Sequence, residues 1–144
     1  MDFTSINWLV VVVCTVVTMV IGAAWYNPKT FFPGWWKAMG KGDYDPSAPG
    51  DASPGGSAGM GTVWGLTILS AFVRALFLTV IIEALGGATL VSGAVTGFLL
   101  WLGIAAPTTL INKLFADHFK SWFYETGDHL VTFVVIGAIV GAWL

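Results

Sequence analysis

Apolar and polar positions divide the chain into four long runs with little or no charge, joined by aromatic or Gly/Pro-rich segments. The first, 6–26, holds no charged residue and would reach about 31 Å as a helix, enough to cross the hydrocarbon core of a bilayer. Gly22-Ala23-Ala24 resembles a signal-peptide cleavage site, but the head carries Asp2 and no Lys or Arg, and the apolar run is longer than a signal's, so the pattern favours a retained span. Further spans are predicted over about 62–84, 88–111 and 127–144, with Gly86-Gly87 making the turn between the second and third and Pro107 lying near the end of the third. In the second span, about a dozen Leu, Ile, Val and Phe residues contribute roughly −0.3 to −0.6 kcal/mol each. Together they outweigh the roughly +2.5 to +3.5 kcal/mol of a central Arg, here Arg74.

The joints have their own patterns. After the first span, Phe31, Phe32, Trp35, Trp36 and Met39 recur at helical spacing with Lys37 and Lys41 elsewhere, which predicts a short amphipathic helix in the interface. Residues 42–61 turn to Gly, Pro, Ser, Ala and Asp, a composition too poor in apolar area to offset ordering entropy, and read as a flexible linker. Between the third and fourth spans, Leu114, Phe115, Phe119, Trp122 and Phe123 alternate with Lys113, Asp117, Lys120 and Glu125, predicting a second interfacial helix. The expected fold is an all-α membrane protein forming one membrane domain over 1–144, with four transmembrane helices and two short interfacial helices.

Composition agrees: 144 residues, 56% hydrophobic and 10% charged, with a mean hydropathy of +0.81, exclude a water-soluble domain. Six basic residues, no basic cluster and a net charge of −2 exclude nucleic-acid binding. Lys29, Lys37, Lys41, Lys113 and Lys120 all fall in the first and third connections. The positive-inside bias therefore places 27–61 and 112–126 in the cytoplasm and both chain ends outside. Trp25, Trp35, Trp36 and Trp122 are the expected interfacial anchors on that side, while Trp101 lies inside the third span, where its indole N–H requires a partner.

Gly93-x-x-x-Gly97 and Gly137-x-x-x-Gly141 fall at matched depths in the third and fourth spans and predict close antiparallel packing, the alternative being that one motif faces a neighbouring subunit. Arg74 lies twelve positions from Thr62, about 18 Å into the membrane, and its side chain leans toward the cytoplasmic side. Its candidate partners there are Tyr26, Asn27, Thr108, Thr109, Asn112, Asp128 and His129, together an anion- or proton-linked polar cluster. A purely structural role, in which Arg74 bonds carbonyls and Asp128 and His129 lie at a helix start, stands beside that reading. Ser70, Ser92 and Cys14 have no histidine in register, so no enzyme activity is expected. His118 and His129 are eleven apart with no CxxC or HxxxH beside them, and no metal site is expected. No cofactor is expected either, with haem or a pigment on His129 as the alternative.

The residues Trp25-Tyr26-Asn27-Pro28, Trp36-Lys37-Ala38-Met39-Gly40 after Phe32, Ala106-Pro107, Asn112-Lys113-Leu114-Phe115, His129-Leu130 and Gly137-Ala138-Ile139-Val140-Gly141-Ala142-Trp143 resemble a family of small bacterial four-helix membrane proteins of unknown function. The resemblance implies four spans in a bacterial inner membrane and supplies no activity. The function expected first is non-enzymatic, by helix–helix association with lipid around it, as an accessory subunit of a larger membrane complex or as a homo-oligomer. The alternative is a small transporter or channel built on the Arg74 cluster.

Overall fold

A computed structural model describes residues 3–47, 59–86 and 88–144. Four helical rods are long and apolar enough to cross a membrane, making this a multi-pass membrane protein: α1 (Trp8–Trp25), α3 (Met60–Leu85), the composite Leu90–Phe115, and α6 (Phe119–Trp143). The composite rod comprises α4 (Leu90–Leu100), one π-helical turn (Trp101–Ala105) and α5 (Ala106–Phe115), and the short α2 (Phe32–Ala38) follows α1. Local chemistry sets the ends. Asn7 caps α1 through its side-chain oxygen, which accepts from Val10 N–H, and Thr89 and Ser92 form a reciprocal capping box at α4. Gly86, at φ +69°, ends α3 in a conformation that a side chain would strain. The π turn lies just before Pro107, which has no N–H to give, and the Ala106 N–H reaches back five residues to the Trp101 carbonyl.

The rods alternate in direction. Ser5 Oγ donates to Glu83 at 3.4 Å, setting the start of α1 beside the end of α3, and Gly93 lies against Gly137 and Gly141, so α4 and α6 are antiparallel. The α4–α6 contact is the most extensive, α6 also touches α1, α2, α3 and α5, and α3 and α4 pack on each other little. The apolar core lies at the end away from the lysines, where Ile6, Val10, Val11 and Cys14 of α1 meet Ala75, Leu78, Val80 and Ile82 of α3 and Ile136 and Val140 of α6. Cys14 is fully enclosed there. A membrane-permeant maleimide should therefore leave it unmodified in the folded protein and label it after unfolding in hot SDS, as read by mass spectrometry.

One expectation needs correction. The second interfacial helix is not a separate element: residues through Phe115 complete α5 and those from Phe119 open α6. The break is a three-residue turn, 116–118, in which Asp117 takes φ +60°, a left-handed conformation that Asp tolerates better than most residues. The His118 and Asp117 N–H groups close back onto the Lys113 and Leu114 carbonyls. The amphipathic pattern was real, but it belongs to the ends of two spanning rods, and α6 is lengthened to 25 residues. The joint expected over 42–61 falls largely outside the described residues, at 48–58, as does Gly87 of the expected turn.

The tryptophans expected as interfacial anchors also bond within the protein. Trp25 Nε1–H donates to the Tyr124 carbonyl at 2.9 Å, Trp35 Nε1–H to Glu125 at 2.9 Å, and Trp122 Nε1–H to Thr109 Oγ1 at 3.1 Å. Trp36 is buried beneath Phe32 and Tyr44, with Lys41 over its ring. These indole N–H groups tie the lysine-bearing end together, Trp25 through a backbone carbonyl and Trp35 and Trp122 through side chains of neighbouring rods. Trp8, Trp64 and Trp143 are the exposed ones.

Candidate functional site

One face of α6 turns inward along its whole length: Ser121, Glu125, Asp128, Thr132, Ile136 and Val140, spaced by four, three, four, four and four. The far-end members are apolar and join the core, whereas those toward the lysines are polar. Ser121 Oγ–H donates to the His118 carbonyl at 2.7 Å. Glu125 pairs with Lys113 at 2.9 Å, each side chain less than one-fifth exposed. Above that pair the bonding stops. Asp128 Oδ1, Thr132 Oγ1 and the nearby Thr126 Oγ1 are buried without a hydrogen-bond partner.

Among the described residues, the buried side-chain oxygens without a partner all lie on α6. Thr15, Thr18, Thr67, Thr79 and Thr96 each donate to the carbonyl four residues earlier, the usual way of satisfying a hydroxyl in an apolar surrounding. Thr126 and Thr132 do not, and neither has found an alternative in the protein. Buried polar atoms are nearly always bonded, and leaving one bare costs about 1 to 3 kcal/mol. Asp128 and Thr132, four residues apart, share one face of α6, whereas Thr126 lies on another side of the helix.

Arg74 stands across from this stripe on α3. Its guanidinium lies over the Phe133 ring, 5.6 Å from the centroid. Tyr26 and Asp128 are within electrostatic reach of it, and His129 feels both Arg74 and Glu125. Among the described residues, the direct ion pairs are Lys37–Asp43 and Lys113–Glu125, so Arg74 and Asp128 attract through space without touching. The Tyr26 ring stands edge-on to Trp35 at 5.6 Å, which brings α2 beside the site.

The structure therefore gathers Arg74, Asp128, His129 and Tyr26, and leaves out the rest of the expected cluster. Asn27 is exposed and spends its Oδ1 on the Lys29 N–H at 2.9 Å. Thr108 is exposed and bonds the Ile104 carbonyl of its own rod at 2.6 Å. Asn112 is exposed near the end of α5. The widened turn before Pro107 directs Trp101, not Thr108, toward α6, where its Nε1–H donates to the Thr126 carbonyl at 3.1 Å. Thr126, Thr132 and Phe133 are not among the residues singled out from the sequence, and Glu125 is there only as a polar position of an interfacial helix, although Glu125, Asp128 and Thr132 repeat at i, i+3 and i+7.

The four glycines lie apart from this site and act inside the chain. A Cβ on Gly93 would run into the Gly137 carbonyl oxygen, one on Gly97 into that of Phe133, and one on Gly141 into that of Thr89, so neither motif is free to face a neighbouring subunit. Among the described residues no group of three or more His, Cys, Asp or Glu could hold a metal ion.

A family described as protein of unknown function, DUF1761, matches residues 9–141. The chain belongs to that family. The match takes in all four spanning rods and every residue of the polar stripe. No curated protein and no solved structure matches the chain.

Proposed function

We propose that this is a non-enzymatic membrane protein, working without a cofactor, whose activity resides in the polar site between α3 and α6, as a small proton-linked transporter. The observation that carries the reading is the buried, unpartnered Oδ1 of Asp128 within electrostatic reach of the cation Arg74, with Thr132 Oγ1 unpartnered one turn further along the same face. An ionisable residue within a membrane is costly to keep, and where it is kept it commonly marks a route for ions or solutes. The polar members of the stripe lie toward the lysine-bearing end, and Val10, Cys14, Ile136 and Val140 lie at the other. The lysine positions support placing the lysine-bearing end in the cytoplasm of a bacterium, with both chain ends outside.

Proteoliposomes loaded with a pH dye and energised by a potassium diffusion potential test this reading. The expected result is acidification faster than in protein-free vesicles, falling to the protein-free rate in Asp128→Asn that elutes as wild type. Wild-type vesicles no leakier than protein-free ones would overturn it.

A second reading, an accessory subunit or homo-oligomer, is supported by the weak packing of α3 on α4, which leaves apolar sides of both rods facing outward. It expects the chain to comigrate with a larger assembly after gentle extraction, and a lone monomer in nanodiscs would count against it.

A further inference from the structure

Arg74 is the single arginine of the chain, and two partners of different kinds lie within its range. Its guanidinium stands over the Phe133 ring, 5.6 Å from the centroid, while the Asp128 carboxyl is within electrostatic reach without direct contact. Among the described residues the guanidinium makes no hydrogen bond or ion pair, and Asp128 Oδ1 is buried with no donor on it. The two groups best suited to satisfy each other are held apart, and the cation rests on a neutral ring. The helix that carries Arg74 is loosely held just below it. Of residues 60–70, in the lysine-bearing half of α3, ten are exposed and Val63 is half-buried, and buried positions begin at Ala71. Arg74 therefore lies where the packed part of α3 gives way to a part that the other rods do not hold.

The geometry points to a proton-operated switch: Arg74 rests on Phe133 while Asp128 is protonated, and forms a direct ion pair with Asp128 once that proton has left. This rests on the transport reading of the same site and supplies the two states that such a reading requires. The proton passes from the Asp128 carboxyl to water at the lysine-bearing end, and the guanidinium keeps its own protons throughout, so the pair forms by movement and not by proton transfer within it. Against a neutral carboxyl the ring is a sufficient partner for the cation. An ionised carboxylate offers a bidentate, charge-assisted pair that a ring cannot match. The other groups around Asp128 leave this role to Arg74. Tyr26, at the end of α1, is within electrostatic reach of both. Glu125 of α6 is tied to Lys113 of α5, and Lys37 of α2 to Asp43. His129 follows Asp128 on α6, and α4 has no ionisable side chain beyond hydroxyls. Arg74 is the permanent cation among them.

A single arginine makes the test direct, because isotope placed in arginine nitrogens reports on Arg74 alone. The full chain, labelled also in its aspartate carboxyl carbons, is measured in phosphatidylcholine bilayers by solid-state NMR, in which nitrogen–carbon dipolar dephasing reports only close pairs. An arginine–aspartate contact is expected at about pH 9 and none at about pH 4, and label in phenylalanine rings should show the reverse. Asp128→Asn, which cannot ionise, should keep the phenylalanine contact at both values and lose the aspartate contact. Phe133→Leu removes the resting place and leaves both charged groups. It should move the transition to lower pH by roughly 0.5 to 1.5 units, the strength of one cation–π contact set against that of one pH unit, and it keeps the test decisive if Asp128→Asn does not fold. An aspartate contact that is equal at both pH values, one that survives in Asp128→Asn, or an unmoved transition in Phe133→Leu would each overturn the inference. Proton flux lost in Asp128→Asn without any pH-dependent contact in wild type would sink the switch and spare the transport reading. A pH-dependent contact without any such flux would sink the transport reading instead.

Discussion

Gly137→Leu is expected to abolish the stable four-rod bundle. A Cβ at that position meets the Gly93 carbonyl oxygen, with the Gly93 carbonyl carbon at 2.9 Å and the Gly97 Cα at 3.3 Å. All three are backbone atoms, so no rotamer change makes room and the rods must move apart. Within a bilayer, where burying apolar surface between helices gains little, it is this close approach that holds them. α4 has no other extensive neighbour, since its contact with α3 is slight, and separation from α6 leaves it undocked. The loss should exceed the roughly 1 to 3 kcal/mol of ordinary overpacking. It would appear as a shifted or aggregated elution profile and a lowered SDS unfolding midpoint. Gly65→Leu is the control, because a Cβ there meets nothing within 4 Å, and its profile should match wild type.

The spanning rods were legible because hydrophobicity over about 20 residues is a cumulative signal that no single exception cancels, and Arg74 did not cancel it. The antiparallel glycine pairing was legible as well, from depth alone. Its sense comes from chain direction and its register from equal rise per residue in both helices. What the pattern could not separate was an amphipathic helix lying in the interface from the amphipathic ends of two rods meeting at a turn. Both give a period near 3.6, and the difference rests on three residues, 116–118, and one positive φ at Asp117. The site was half legible. Arg74, Asp128, His129 and Tyr26 could be placed by depth, but depth does not say which way a side chain faces. Asn27, Thr108 and Asn112 stand at suitable levels and point elsewhere. The π-helical turn decides this for Thr108, since one extra residue in a turn rotates everything after it.

Removing the carboxylate of Glu125 is expected to release the lysine-bearing end. One oxygen of Glu125 receives both Lys113 Nζ, at 2.9 Å, and Trp35 Nε1–H, at 2.9 Å. That single atom therefore joins α6 to α5 and to α2. Side-chain exposures of 18% and 19% keep water from screening the pair. Glu125→Leu strands a largely buried ammonium, whose remaining close contact is Met39 Sδ at 3.6 Å, and leaves an indole N–H without an acceptor. Breaking a buried pair from one side costs about 3 to 5 kcal/mol, because the surviving charge stays desolvated and uncompensated. α2 should then come away from α6, and trypsin should cut after Lys37, within α2, faster in nanodiscs than it does in the wild type. The double change Lys113→Met with Glu125→Leu removes the stranded charge and should recover much of the unfolding midpoint, though not the Trp35 bond. Asp43→Asn gives the contrast: the Lys37–Asp43 pair is as short, at 3.0 Å, but its side chains are 70% and 88% exposed, and its loss should leave the midpoint unchanged within error. Equal midpoints for Glu125→Leu and Asp43→Asn would mean that the aromatic contacts of Tyr26, Phe31 and Tyr124 hold this end without the ion pair.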